Sequence, residues 1–365
     1  MKLFEILNFL NSRVPLAFQE QYDNCGLLIG NHDLKINSVL VSLDCTESVI
    51  DEAIKNKDNL IISHHPIIFT GIKKITGSSY VDRIIQKAIK HDIAIYAMHT
   101  NLDNIFGGVS FEIAKYLLLD HVDFLKPKSD ILTKLTTYCP SNYTNVIKKA
   151  LFDVGAGSIG SFYDHCSFTN SGIGTFRPLD GANPFIGKVG QESEVQEERL
   201  ELVFYSYLKP EILTALHKVH PYQEVAYTFD NINNNAKVGS GVVGELKKSM
   251  RFNEFLKYVK DKMKCSMIRY NSLVEKKDIK KVAICGGSGK FLLNDAIKSN
   301  ADVFITSDFK YHDFFDCDNK IIVFDIGHYE SEYLTQKLIM RILKENFSKL
   351  AVRITNVCTN PILYY

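Results

Sequence analysis

No two cysteines in this chain are spaced Cys-x-x-Cys, no run of lysine and arginine stands out, and no apolar run is long enough to span a bilayer. The first absence carries weight because there are eight cysteines: Cys25, Cys45, Cys139, Cys166, Cys265, Cys285, Cys317 and Cys358. In a chain of 365 residues they read as buried reduced thiols, which sets aside zinc-ribbon and thioredoxin-like chemistry. The second absence, with 43 basic residues against 42 acidic ones, removes the electrostatic footprint of a protein that binds nucleic acid or an anionic membrane. The amino terminus, Met1-Lys2-Leu3-Phe4-Glu5-Ile6-Leu7, begins an amphipathic helix carrying an acid and lacks the long apolar core of a signal peptide. A soluble, cytoplasmic protein is expected, with neither membrane nor nucleic acid as partner. The length suits two domains with ample core.

What is present is a repeated alternation of apolar strands and helices at both ends of the chain. Val39–Leu43, the run through Ile61-Ile62, and Ile93–Met98 are strand patterns, and Thr46 is placed to cap a helix reaching Lys55. A further helix is expected around Tyr80 to Lys90, and Gly107-Gly108 leads into another. The last third repeats the pattern with Val282–Cys285, Asp302–Thr306, Ile321–Asp325 and Leu350–Ile354. Such alternation implies parallel α/β sheets, whose loops at the carboxyl ends of the strands carry function. The middle differs: strand, helix, short strands near Cys166 and Gly174, strand, helix, strand, which is the order of a ferredoxin-like split βαβ unit. Lys126-Pro127-Lys128 and Asn231 to Asn235 bracket it as linkers. The expected organisation is an α/β lobe over 1–128, an inserted α+β domain over 129–232, and the rest of the α/β fold over 233–365.

Chemistry-bearing residues collect at the strand ends. Ser63-His64-His65-Pro66 follows a strand that is apolar on both faces, and adjacent histidines point in different directions, suiting two neighbouring metal ions. His99 and Asp103, and likewise His328 and Glu332, are spaced four apart just past a strand, which places each pair on one face of a helical turn. His64, His65, Asp103, His328 and Glu332 together exceed what one catalytic zinc uses, but serve two ions about 3.5–4 Å apart with Glu332 as the bridge. Nitrogen and oxygen donors without thiolate favour zinc, then manganese or iron, over magnesium. Each residue has a plainer reading: Asp103 as a cap of the next helix, His328 and Glu332 as an exposed helical pair, His99 as a hydrogen-bonded strand-end histidine rather than a general acid or base. Asp308 and His312 either line the same pocket or lie in a loop. Gly286-Gly287-Ser288-Gly289 offers amides to a phosphate or, more simply, makes a tight strand-to-helix turn.

Five motifs in this order resemble the Nif-three-like dinuclear-metal family, also labelled GTP cyclohydrolase 1 type 2 homologs. They are Tyr22-Asp23-Asn24-Cys25-Gly26-Leu27, Ser63-His64-His65-Pro66, His99-Thr100-Asn101-Leu102-Asp103, Thr306-Ser307-Asp308 through His312-Asp313, and Gly327-His328-Tyr329-Glu330-Ser331-Glu332. The resemblance implies two similar α/β lobes around a shared dinuclear site, with the family's five ligand positions falling on His64, His65, Asp103, His328 and Glu332. It also implies a toroidal homohexamer. Gly155-Ala156-Gly157-Ser158-Ile159-Gly160, Gly172-Ile173-Gly174-Thr175-Phe176 and His220-Pro221-Tyr222-Gln223-Glu224 resemble the PII/CutA-like insert of longer bacterial members. Ser307, where relatives often carry Gly, and Gln223, often Glu, depart from the pattern. The expected function is a metal-dependent hydrolase, in which a metal-bridging hydroxide opens the GTP imidazole ring or cleaves a nucleotide or phosphoester, with two divalent ions per chain. The alternative is a non-catalytic regulatory or metal-handling oligomer whose insert senses a small molecule or binds a partner.

Overall fold

The computed structural model describes residues 1–158, 163–233, 236–271 and 278–365. Ile159 and Gly160 of the glycine run, and Asn234 and Asn235 of the second linker, lie outside the described residues. The chain divides into two compact units, one formed by Met1–Lys126 with Val238–Tyr365 and the other by Pro127–Lys237.

In the first unit one sheet runs in the order Gly26–Ile29, Ala94–Ala97, Leu60–Ser63, Ser38–Ser42, Ala351–Ile354. The last four strands are parallel and only the Gly26–Ile29 edge is antiparallel. Every residue of Leu60–Ser63 and Ala94–Ala97 is buried, as the continuous apolar runs require of strands covered on both faces. Helices Glu47–Asn56 and Tyr80–Lys90 cover the sheet, packing Val49, Ile50, Ala53, Ile84 and Ala88 against Leu40, Ile61 and Ile95. Both start at a side-chain cap, where Thr46 accepts from the Val49 amide and Ser79 from the Asp82 amide.

The second sheet of this unit runs Arg269–Tyr270, Ile322–Asp325, Val303–Ser307, Asp278–Ser288, Gly239–Arg251, Asp120–Pro127. Its three central strands, Asp278–Ser288, Val303–Ser307 and Ile322–Asp325, are parallel. Each sheet borrows an edge from the far end of the chain. The closing strand Ala351–Ile354 pairs with Ser38–Ser42, and Asp120–Pro127 joins the sheet of the last third. The parallel strands of both sheets end in candidate residues, His64 after Ser63, His99 after Ala97, Asp308 after Ser307 and His328 after Asp325, and Asp44 follows Ser42 in the same way.

The second unit is a four-stranded antiparallel sheet ordered Phe168–Phe176, Ser193–Tyr205, Leu132–Pro140, Tyr227–Ile232. Helices Thr144–Asp153 and Lys209–Val219 bury Ile147, Leu151, Ile212 and Leu216 against Leu135, Leu200, Leu202 and Phe204. Alternation along the strands sends Lys134, Tyr138, Glu197, Arg199 and Glu201 to the opposite face. The short strands expected near Cys166 and Gly174 are one nine-residue strand, Phe168–Phe176, that carries its glycines inside it.

Candidate metal centre

His64 is wholly buried, and its Nδ1 lies 2.7 Å from the Met98 carbonyl oxygen. A carbonyl only accepts, so Nδ1 carries the proton and Nε2 presents a lone pair. That Nε2 is 3.7 Å from Asp103 Oδ1 and 3.7 Å from Glu332 Oε1. His65 turns the other way. Its Nδ1 donates to Asp44 Oδ1 at 2.7 Å, and its Nε2 stands 3.0 Å from Glu332 Oε2 and 3.2 Å from His328 Nε2. His328 mirrors it, with Nδ1 on Asp308 Oδ2 at 2.6 Å and Nε2 2.9 Å from Glu332 Oε2. Glu332 is 3 % exposed and reaches this position because it lies one helical turn beyond His328 in His328–Glu332.

Three imidazoles held from outside through Nδ1 thus aim Nε2 at the same carboxylate. Lone pairs facing lone pairs are repulsive unless a cation or protons lie between them. His64 Nε2 and Asp103 Oδ1 are buried and have no hydrogen-bond partner among the described residues, as donors waiting for a cation would be. The charges respond accordingly. Burial holds the His64 pKa below its usual value. Burial also opposes charge on His65 and His328, but Asp44, Asp308 and Glu332 outweigh it and raise their pKa values to about 10 and about 11. Burial next to Glu332 raises Asp103 well above the carboxylate range, whereas the three histidines hold Glu332 well below it despite its burial. The donor set therefore fits a divalent metal.

His99 stands beside this cluster, its ring centroid 5.2 Å from that of His64 and 5.3 Å from that of His65. Its Nδ1 donates to Asp23 Oδ1 at 2.8 Å, while Asp23 Oδ2 accepts from the Thr100 amide at 3.0 Å and from the Thr100 hydroxyl. One ring nitrogen of His99 thereby belongs with the donor atoms of His64 and His65, all within 4.8 Å of one another. The exposed rings of Tyr22 and Phe69 border it, Phe69 at 6.4 Å from His99 and Tyr22 at 6.3 Å from Phe69.

Several plainer readings of these residues fail. Asp103 ends the helix Thr100–Asp103, and the next helix is capped by Gly108 with no side-chain bond. His328 and Glu332 are not an exposed pair, because Glu332 is buried. His312 packs on Tyr311 and Phe315 in the 3₁₀ turn Tyr311–Cys317, whereas Asp308 reaches the cluster through a positive φ of 59° that Asp tolerates. Gly286, Gly287 and Ser288 are the end of a strand, and Gly289 alone connects it to the helical run Lys290–Lys298, so the segment is the tight strand-to-helix turn rather than a phosphate cradle. The amides of Gly286, Gly287 and Gly289 are already used, on Ser110 Oγ, Ser331 Oγ and Thr306 Oγ1 respectively.

Gly287 instead makes room for the carboxylate. A Cβ there would lie 2.2 Å from Glu332 Oε1, at a φ of +65°. Gly287→Ala is therefore expected to push Glu332 out of place and to lower metal content per chain, read by elemental analysis. An alanine variant that keeps full metal would refute this role.

A family profile described as Duf34/NIF3 (NGG1p interacting factor 3) matches residues 1–361. This chain belongs to the NIF3 family. The resemblance read from its motifs is borne out over the whole length. A Bacillus subtilis relative named GTP cyclohydrolase 1 type 2 homolog is 40% identical over 366 residues, covering 99% of this chain and 98% of that one. A Staphylococcus aureus protein of the same name is 34% identical over 369 residues, all of both chains. The crystal structure of a Bacillus cereus protein related to NIF3 superposes with a TM-score of 0.83 at 33% identity, over 100% of this chain and 99% of that one. Among the described residues of this NIF3 chain, no helix is long and apolar enough to cross a membrane. The carboxylates Asp23, Asp44 and Asp308 orient His99, His65 and His328 in this cluster. The motifs contained Asp23 and Asp308, but nothing in the sequence gave either a partner, and Asp44 carried no signal beyond its place after a strand.

Proposed function

We propose that this chain holds two divalent metal ions, zinc in the first instance, and uses them for hydrolysis. The observation that carries the reading is the division of labour in Glu332. Its Oε1 faces His64, which also faces Asp103, while its Oε2 faces His65 and His328. One carboxylate between two donor pairs supports two ions bridged by Glu332. The five donors are thus His64, His65, Asp103, His328 and Glu332. Bound divalent ions supply Lewis acidity and make water acidic enough to act as a nucleophile near neutral pH.

The protein's own residues do the rest. Asp44, Asp308 and the Met98 carbonyl fix three rings and their tautomers. Asp23 fixes His99, whose other nitrogen is left to take or give a proton at the edge of the site. Tyr22 and Phe69 present apolar faces to whatever enters. The relatives' name makes opening of the GTP imidazole ring the first substrate to test, with nucleotide and phosphoester hydrolysis beside it. The resemblance further supports a homohexamer, with residues 129–232 as a PII/CutA-like insert between the two parts of the α/β fold.

Elemental analysis of the purified chain, with a nucleotide turnover screen on the same sample, tests this. About two ions per chain with turnover of GTP or another nucleotide is the expected result. No bound metal after reconstitution would sink the metal centre. Two ions without any turnover would instead favour the regulatory oligomer, for which the ligand-sized cavity in the 127–237 unit is the supporting observation.

A further inference from the structure

Two motifs that the metal centre leaves unused, Gly172-Ile173-Gly174-Thr175-Phe176 and His220-Pro221-Tyr222-Gln223-Glu224, meet at one cavity in the 127–237 unit. It measures about 680 Å³ and lies where the loop after Phe176 folds over the exposed face of the sheet. That volume falls within the range of small-molecule sites, roughly 300–1,000 Å³. Its apolar walls are the rings of Tyr138, Phe176, Phe185 and Tyr222, with Phe176 and Phe185 each 6.3 Å from Tyr222.

The polar part is assembled around Glu197. The Tyr222 hydroxyl donates to Glu197 Oε1 at 2.7 Å, leaving Oε2 lying across Gly174. A Cβ at Gly174 would be 2.1 Å from that oxygen, so the glycine in mid-strand makes space for the carboxylate. Buried His220 places Tyr222: its Nδ1 accepts from the Tyr222 amide at 3.1 Å, and its Nε2 donates to the Tyr138 carbonyl at 3.0 Å. Gln223 fixes the covering loop by accepting from the Asn183 amide at 2.9 Å.

We propose that this cavity binds an organic cation, a protonated amine on an apolar or aromatic body. Of the charged side chains that line it, Asp180, Glu197 and Glu224 are acids and only Arg177 is a base. An ammonium group would pair with Glu197 and lie against ring faces that attract cations. A phosphate or carboxylate ligand would meet net negative charge. The inference stands on this unit alone and survives any failure of the metal reading.

Calorimetry on the full-length, metal-loaded chain tests it with tyramine, spermidine and choline as probes. The comparators are 4-(2-hydroxyethyl)phenol, which is tyramine with a hydroxyl in place of the ammonium, and AMP as an anion. At least one cation is expected to bind saturably, tyramine at least about ten-fold tighter than its neutral analogue. Glu197→Gln, which keeps the acceptor for Tyr222, should abolish that preference with circular dichroism and metal content unchanged. Gly174→Ala should weaken the same binding by displacing the carboxylate. The proposal is overturned if none of the three cations binds, if AMP binds in preference, or if Glu197→Gln leaves the preference intact. A second copy of the chain filling the cavity in solution would appear as the first of these.

Discussion

Glu332→Ala is expected to strip the centre of both ions at once. It is the carboxylate that faces all three histidines: its Oε1 stands 3.7 Å from His64 Nε2, and its Oε2 stands 3.0 and 2.9 Å from His65 and His328. Loss of an outer partner such as Asp44 or Asp308 should weaken metal binding by about 10–100-fold, because the ring keeps its place less well. Loss of Glu332 should exceed that range and leave less than one ion per chain. The metal-free variant should also be less stable, by about 3–5 kcal/mol, since two histidines that favour the charged form then face each other without their shared counter-ion. Glu332→Gln separates charge from shape: it should retain the fold better than alanine and still lose metal. Full metal content in the alanine variant, by elemental analysis, would mean that Glu332 does not bridge.

Metal loading should depend steeply on pH. Without metal, burial disfavours charge on His65 and His328, but their carboxylate partners prevail and hold the protons to about 10 and about 11. Below that window both rings are protonated, and metal must displace two protons. Apparent affinity should therefore rise with pH by up to about 100-fold per unit until the first ring deprotonates near its raised pKa. Asp103, pushed upward by burial and by Glu332, adds to this release. Stability follows the opposite sign in the metal-free chain. A histidine whose folded pKa is raised stabilises the fold fully below its unfolded value, about 6.5, and loses that contribution as pH climbs through the folded one. Chelator-stripped protein should thus melt progressively lower as pH rises from about 6.5 to about 11, while loaded protein holds its metal more tightly. Titration calorimetry in buffers of different ionisation enthalpy counts the protons, and a count of zero would mean that the histidines are neutral before metal arrives.

The clustering of His64, His65, His328 and Glu332 was legible in the sequence because these residues obey local rules. His64 and His65 end a strand that is apolar on both faces, and His328 and Glu332 are one helical turn apart. Their setting was not legible, because it depends on pairs distant along the chain. Asp44 and His65, Asp23 and His99, and Asp308 and His328 are 21, 76 and 20 residues apart, respectively. Gly287 looked like part of a turn, and only the approach of Glu332 explains it. Among the strands, the parallel centres were plain from their apolar runs. The strands Gly26–Ile29, Asp120–Pro127 and Gly239–Arg251 were missed; the first two are sheet edges, and a strand half open to solvent carries a weaker pattern. That Ala351–Ile354 would pair with Ser38–Ser42 was invisible to any window along the chain.

The contact between His65 and His328 spans 263 residues, which sets a clock on synthesis. At roughly 5–20 residues per second, a ribosome needs about 13–50 s after adding the first histidine to add the second. Over that interval the nascent chain holds His64, His65 and Asp103 without Glu332. The edge strand that completes their sheet comes later still. On the proposed reading, an ion captured early would meet an incomplete set of donors, so complete coordination has to wait until His328 and Glu332 have been added.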